Sequence, residues 1–167
     1  KFGGGWNYDA VLSAYYVLQD DSRDSDQNPK SPAYDKGGQL TEFTNTGWQL
    51  FELRFDKDSF LSRPELSFEG GYHYDHARLK IANYNNLPDW GNSDRHEGTF
   101  NSSSGGQTDT HGIHGNLGWE FLPKWDLQVG GRTEFWRAFN AWKHETTGEI
   151  GGHDERDEVA FSPKISL

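Results

Sequence analysis

The chain has 167 residues, only 32% of them hydrophobic, and a net charge of −10, whereas a typical soluble domain is about 45–50% apolar. It has no Cys, which excludes a disulfide framework and a thiolate metal site. The negative charge opposes binding to nucleic acid, and no apolar run reaches the roughly 20 residues of a transmembrane helix. An aromatic content of 15% argues against a disordered chain.

Alternation of apolar and polar residues predicts six long β-strands. In chain order they are residues 6–19, 46–56, 64–80, 110–122, 125–142 and 158–167. In the fifth, Trp125, Leu127 and Val129 lie on one side of the strand, and Arg132 and Glu134 lie on the other. No window of similar length predicts a helix with comparable periodicity.

The predicted connections alternate in length. Residues 57–63 and 123–124 are tight turns, whereas residues 20–45, 83–109 and 143–157 are long and rich in Asp, Asn, Gly, Ser and Pro. The net negative charge is concentrated in these long connections. Long loops at one end of a sheet and short turns at the other are typical of outer-membrane barrels, whereas such loops are unusual in compact soluble domains.

The predicted strands have one apolar face and one charged face. The charged face carries Glu52, Arg54, Glu69, His73, Asp75, Glu120, Arg132 and Glu134. Alternation alone fits a soluble sandwich as well as a barrel in lipid. The length of the fifth strand and the alternation of turn lengths favour an all-β, antiparallel transmembrane barrel.

Aromatic residues are placed where membrane interfaces are expected. Trp119, Phe121 and Trp125 flank the short turn at 123–124, and Phe135 and Phe139 approach the other end of the fifth strand, followed by Trp142. Aromatic girdles occupy both interfaces of membrane barrels. We therefore predict Trp119, Phe121, Trp125, Phe135 and Phe139 to be membrane-interface residues.

Six strands are too few to close a barrel, because the smallest bacterial barrels have about eight. Unpaired edges in lipid would cost several kcal/mol for each polar group. The chain also contains no Met and ends abruptly at Leu167. We therefore expect it to be one segment of a larger barrel.

Four stretches resemble the barrel region of TonB-dependent outer-membrane receptors. They are "NTGWQLFELRF" (45–55), "LSFEGGYHYDHARL" (66–79), "WEFLPKWDLQVGGRTEFWRAFNA" (119–141) and "FSPKISL" (161–167). In that family, a strand of the form W-x-L-x-x-G-x-R-x-E is followed by a long loop and then by FSPK-x-S-L. The resemblance covers nearly the whole chain and identifies the barrel type without identifying the ligand.

The resemblance implies a 22-stranded barrel with an N-terminal plug in the outer membrane of a Gram-negative bacterium. It implies import of a scarce nutrient such as a ferric siderophore. The implied partners are the remaining barrel and plug, outer-membrane lipid and lipopolysaccharide, and the inner-membrane protein that supplies energy. Residues 1–167 are expected to form one barrel segment, with no plug domain, no TonB box and no closing strand that ends in an aromatic residue.

Aromatic and basic residues of the long loops are candidates for ligand contact: Tyr34, Tyr84, Trp90, Arg95 and Trp142. Ligands in the resembled family are held by outer loops and the plug, but no fixed motif marks the residues. Packing of the loops on themselves is the alternative interpretation for each of the five.

Seven His and two acidic stretches raise the question of a metal site. His73 and His76 lie three apart, as do His111 and His114, and residues three apart on a strand point to opposite faces. The stretches 20–26 and 153–158 lack the spacing of an EF-hand. We expect solvated acidic loops and no metal or other cofactor.

Enzymatic chemistry is not indicated. Glu145 and Glu149 form a carboxylate pair in a loop with no positioned nucleophile, and the chain has no GxSxG, HExxH or P-loop motif. Two alternatives to a transport receptor stay open at this point. One is a structural outer-membrane barrel that self-assembles through its edges, and the other is a soluble carbohydrate-binding sandwich.

Overall fold

The computed structural model describes residues 5–25, 37–146 and 150–167. They form a single antiparallel sheet in which each strand pairs with its neighbour along the chain as far as β6, and β7 also pairs with β5. The strands are β1 (Asn7–Ser25), β2 (Gly38–Asp58), β3 (Leu66–Leu87), β4 (Thr99–Leu122), β5 (Trp125–Glu145), β6 (Ile150–Gly152) and β7 (Arg156–Ser166). The predicted all-β antiparallel class is confirmed.

Strands β6 and β7 are two pieces of one strand position. Trp142 of β5 faces Gly152 of β6, and Ala138 of β5 faces Arg156 of β7. The two pairs share one register along β5, so residues 153–155 interrupt a strand without shifting it. The sheet therefore has six strand positions, as the alternation predicts.

The strands extend well beyond their predicted limits, so the long loops are shorter than predicted. Residues 20–25 and 38–45 belong to β1 and β2, and residues 99–109 belong to β4. These polar stretches lack an apolar alternation, but their backbone groups pair with neighbouring strands. Backbone pairing therefore fixes the ends of the strands, together with the burial of Leu40 near the start of β2 and of Leu87 at the end of β3.

Both short turns lie at the same end of the sheet, the short-turn end. Pro123 and Lys124 alone separate β4 from β5, and Lys124 has a φ of 73°. The turn between β2 and β3 contains a 3₁₀ helix at Phe60–Ser62. The opposite end of the sheet, the long-loop end, carries the loop 88–98 between β3 and β4.

The sheet has almost no hydrophobic core. Leu40 and Leu87 are the only hydrophobic residues recorded as buried in the part of the chain that the structure describes. Leu117, Val129 and Phe161 are 39%, 47% and 68% exposed. The described residues make one layer, so they do not form the two-layer sandwich of the soluble alternative.

The strands are much longer than a membrane crossing requires. The 21 residues of β5 span roughly 70 Å at about 3.3 Å per residue, and a tilted crossing takes about 9–11 residues. None of the helices in the described ranges is long and apolar enough to cross a membrane. The excess strand length stands at the long-loop end, where the polar stretches of β1 to β4 lie.

Candidate functional site

The strand register assembles one continuous apolar face. Leu53 faces Tyr72, Tyr72 faces Ile113, and Leu117 faces Val129, so apolar residues of four neighbouring strands lie on the same side. The row through Val129 continues to Ile165 of β7. No second layer of the described residues covers this apolar face, and its side chains are largely exposed.

The opposite side, the polar face, carries a belt of charges. Arg54 pairs with Glu52 at 2.7 Å, and Arg132 pairs with Glu134 at 2.7 Å. Glu52 lies opposite His73 in the register. The strand register therefore agrees with the prediction that each strand has an apolar side and a charged side.

Glycines of the sheet leave room for the long polar side chains of the belt to lie flat against the backbone. A Cβ added to Gly71 would stand 2.5 Å from the ring of His114. A Cβ added to Gly112 would stand 3.3 Å from the Arg132 guanidinium. The belt therefore follows the sheet closely and leaves the space above it free.

A hollow of about 700 Å³ adjoins the belt on the side of the long-loop end. Its lining includes Tyr15, Trp48, Ala77, Leu79 and Ala138. Tyr15 faces Trp48, and Trp48 faces Ala77, so this row continues the polar face above the charges. Ligand pockets usually enclose about 300–1,000 Å³, so the hollow has the size of a small-molecule site.

The loop 88–98 is tied to the ends of β1 and β2. Arg95 donates to both carboxylate oxygens of Glu42 at 2.6 and 2.7 Å, and Gln19 donates to Glu42 at 3.0 Å. Arg23 donates to the carbonyl oxygen of Ser93 at 2.7 Å. The hydrogen bonds to Glu42 raise the pKa of the Arg95 guanidinium, and Glu42 is only 4% exposed.

The same loop has internal order at both of its turns. Asn92 and the backbone N–H of Gly91 donate to the Asp89 carboxylate at 2.9 and 3.0 Å, and these bonds lower the pKa of Asp89. Asp94 and Glu97 form a capping box around the 3₁₀ helix at Arg95–Glu97. Loop 88–98 is thus a folded platform at the long-loop end.

The predicted ligand-contact residues separate into two places. Trp90 and Arg95 lie in loop 88–98, and Tyr84 lies near the end of β3, within electrostatic reach of Arg95 and with its ring 5.9 Å from Phe100. Trp142 lies in β5, opposite Gly105 and Gly152. The placement of Tyr84 in a loop was wrong, because β3 runs further than its apolar alternation. Trp142, grouped with the loop candidates, lies in β5, within the predicted strand 125–142. Tyr34 lies outside the described residues.

The predicted interface aromatics lie along β4 and β5. Trp119 and Phe121 pack 5.7 Å apart beside the short turn, and Trp125 is 54% exposed. Phe135 is exposed on the apolar face, and Phe139 lies 6.5 Å from the His76 ring. The five residues lie at the two ends of the apolar stretch of this face, and their contact with lipid stays a prediction.

The sequence reasoning missed an aromatic cluster beside the other short turn. Trp6 packs edge-on against Phe55, Phe60 and Phe68, with ring centroids 5.8–6.2 Å apart. Lys57 lies 5.4 Å above the Trp6 ring. The rings come from separate parts of the chain, and only the register of β1 to β3 would have brought them together.

The histidine pairs are divided between the two faces. His76 bonds Asp109 at 2.6 Å on the side of the apolar face, whereas His73 lies beside the charged belt. His111 bonds the Tyr72 hydroxyl at 2.7 Å, and His114 lies over Gly71. Within residues 5–25, 37–146 and 150–167, no group of three or more His, Cys, Asp or Glu side chains is arranged to hold a metal ion.

Comparison with known proteins gives one match. The family model described as "TonB dependent receptor-like, beta-barrel" matches residues 1–167, the whole chain. No curated protein and no solved structure matches significantly.

Proposed function

Because this chain belongs to the TonB-dependent outer-membrane receptors, as part of their β-barrel, we propose that it forms a wall of a barrel that imports a scarce nutrient such as a ferric siderophore. The barrel lies in the outer membrane of a Gram-negative bacterium. The remaining barrel strands, a plug and an inner-membrane energising protein complete the transporter.

The observation that carries the proposal is the difference between the two faces of a single sheet. An exposed apolar face runs through every long strand, while the polar face holds paired charges below an apolar hollow of about 700 Å³. A wall with lipid on one side and a wet passage on the other needs this arrangement. The chain carries no catalytic motif, and its proposed role is transport rather than catalysis.

The proposed ligand contacts lie at the long-loop end. The Trp90 ring is 37% exposed in loop 88–98, the loop that also carries Arg95, and an exposed aromatic ring suits a ligand with a flat body. The Arg95 guanidinium is already engaged by Glu42, so we assign it the task of fastening loop 88–98, which carries Trp90, to β2. Tyr34 and Trp142 complete the proposed set.

Uptake measurements test the proposal. Cells that lack the receptor gene are complemented with the full-length receptor, and uptake of radioactive iron is measured from a panel of ferric siderophores. We expect uptake of at least one member, abolished when the inner-membrane proton gradient is collapsed. Uptake that is identical with and without the gene across the panel would contradict the siderophore proposal.

Variants of the full-length receptor test the site. Trp90→Ala is expected to weaken ligand binding by about tenfold, the loss of about 1.4 kcal/mol of contact. Trp119→Ala at the short-turn end serves as the control, because it removes the same ring at the other end of the strands. Equal losses in both variants would contradict the placement of the ligand site.

A further inference from the structure

The hollow of about 700 Å³ on the polar face is lined largely by aromatic rings and small side chains. Tyr15 and Trp48 face each other across β1 and β2, and Ala77 and Thr108 continue the same row on β3 and β4. No Asp or Glu of the described ranges belongs to the lining. Trp48 is 40% exposed, so part of its ring is open to a ligand.

The permanent cations at this hollow are not placed to hold an anion. Lys143 belongs to the lining and forms an ion pair with Glu145. Arg78 follows Ala77 directly along β3, so its side chain lies on the opposite side of the strand, the side of the apolar face. Arg156 of β7 lies in the row of Ala77 but three strands away. This separation is roughly 14 Å at about 4.8 Å per strand, which exceeds the screening length of about 8 Å in physiological salt.

The carboxylate of Asp75 lies one row below this lining. Asp75 precedes Ala77 by two residues, so it lies on the same polar face, roughly 7 Å further from the long-loop end. Glu52 and Glu134 of the belt are each paired with an arginine two residues away. Asp75 accepts no hydrogen bond and forms no ion pair within the part of the chain that the structure describes. An uncompensated negative charge therefore lies beneath the two rings.

The rim above the hollow is also acidic. Gln19 lies an even number of residues beyond Tyr15 along β1, so it lies on the same side of the strand. Around Gln19, a second hollow of about 420 Å³ is lined by two arginines and four carboxylates, namely Asp20, Asp21, Glu42 and Asp94. Both arginines are already engaged, Arg95 by Glu42 and Arg23 by Asp21. Negative charge thus exceeds positive charge at the rim.

These features favour a cation with an apolar body. An acidic rim raises the local concentration of cations and lowers that of anions. Aromatic rings attract an ammonium group through their π-faces, and a carboxylate without a partner can form a charge-assisted hydrogen bond with it. An anionic ligand would find no unpaired Lys or Arg side chain at this hollow within residues 5–25, 37–146 and 150–167.

We propose that the polar face selects a cationic ligand, namely a ferric chelate that carries a protonated amine on an apolar body. The amine binds at Asp75, and the body lies against Tyr15 and Trp48. This inference rests on the proposed function of nutrient import, and it adds the charge of the imported molecule.

Chelates that differ only in charge test the inference in cells that carry the full-length receptor. A linear trihydroxamate chelator is used with its terminal amine free, acetylated or succinylated, so that its ferric complexes are cationic, neutral and anionic. We expect uptake of the cationic complex to exceed uptake of the anionic complex at least about tenfold, a factor that one charge-assisted hydrogen bond supplies. Asp75→Asn should abolish this preference, whereas Asp126→Asn at the short-turn end should keep it. Preferred uptake of the neutral or anionic complex would overturn the charge assignment and leave the import proposal intact.

A cysteine in the hollow tests the charge without any transport. Ala77→Cys in the purified full-length receptor is treated with a cationic and with an anionic thiosulfonate reagent of similar size. Relative to a free thiol in solution, we expect the cationic reagent to be favoured by about tenfold, and Asp75→Asn to reduce this preference by about threefold or more. A preference equal to that of the free thiol, or one unchanged by Asp75→Asn, would overturn the inference. Uptake of none of the chelates together with the expected reagent preference would count against the proposed import of ferric siderophores alone.

Discussion

Arg95 holds both carboxylate oxygens of Glu42, at 2.6 and 2.7 Å, although one residue belongs to loop 88–98 and the other to β2. The two lie 53 positions apart in sequence. This contact fastens the loop to the long-loop end of the sheet, because Glu42 is almost completely buried and Arg95 is its cationic partner.

Arg95→Ala is therefore expected to loosen loop 88–98. The variant leaves Glu42 buried with Gln19 alone, and an unpaired buried carboxylate is costly. We expect backbone amides of the loop to exchange with solvent at least about tenfold faster. This factor corresponds to the free energy lost with one charge-assisted hydrogen bond. Hydrogen exchange read by mass spectrometry measures the change.

The matched control is Arg63→Ala, which breaks an exposed ion pair with Glu65 at 3.8 Å. Exposed pairs of this kind contribute little, so exchange is expected to stay as in the wild type. The double variant Glu42→Ala/Arg95→Ala should lose less than the sum of the two single variants. Strict additivity would mean that the two side chains do not interact.

Loop 88–98 should also respond to acid through Asp89. Its pKa lies below that of an unfolded aspartate because Asn92 and the Gly91 N–H donate to its charged form. The charged form therefore stabilises the loop at neutral pH, and this contribution disappears as the pH falls through the lowered pKa. We expect protection of the Gly91 and Asn92 amides, corrected for intrinsic exchange, to fall between about pH 5 and about pH 2.

Asp89→Asn supplies the comparison for the acid response, since an amide cannot titrate in this range. Protection in that variant should be weaker at neutral pH and nearly independent of pH. If amide protection changed with pH in the same way in the wild type and in Asp89→Asn, the acid response would belong to another group.

Gly130→Val is expected to weaken the pairing of β5 with β4. An added Cβ at Gly130 would stand 2.5 Å from the carbonyl oxygen of Gly115, a backbone atom, so the two strands must move apart. Overpacking of this kind costs about 1–3 kcal/mol. Unfolding of the full-length receptor in denaturant, with Gly152→Val as the control, measures the loss, because nothing lies within 4 Å of a Cβ at Gly152.

The variants Val129→Arg and Gln128→Arg place an arginine on the apolar face and on the polar face, respectively, at neighbouring positions of β5. In lipid, an arginine on the apolar face near the middle of the bilayer costs about 2–4 kcal/mol, whereas the same residue on the wet side is tolerated. Val129 is 47% exposed in the described sheet, so a water-facing surface would accept either arginine equally. Folding titrations of the full-length receptor into bilayers should show the loss for Val129→Arg alone.

The two-faced sheet could be predicted from the sequence because side-chain alternation is a local property. The positions of Leu127, Val129, Arg132 and Glu134 on opposite sides of β5 follow from parity alone. The two-residue turn at Pro123 and Lys124 was equally visible, since it interrupts two strong alternating runs.

The true ends of the strands could not be predicted in the same way. Residues 102–110 contain no large apolar side chain, yet all of them belong to β4 and pair with β3 or β5. Only the neighbouring strands determine their conformation. The local irregularity at Asn140, with a φ of 52°, lies within β5 and is not encoded in any periodicity.

The candidate site was predictable only in part for the same reason. Trp90 and Arg95 were identified from composition, but the partner Glu42 comes from a distant strand. The hollow of about 700 Å³ likewise joins residues of β1, β2, β3, β4 and β5. Contacts across strands depend on register, which a single sequence does not specify.

The most direct test of the account is a cysteine scan along β5, in which no native Cys of residues 1–167 competes for the label. Single cysteines from Leu127 to Phe135 in the full-length receptor are labelled with a fluorophore in bilayers with brominated acyl chains. We predict quenching at every second position, at Leu127, Val129, Gly131, Thr133 and Phe135, with labelling by a water-soluble reagent at the positions between them. Quenching without this period of two, or aqueous labelling on both sides of the strand, would contradict lipid contact by the apolar face.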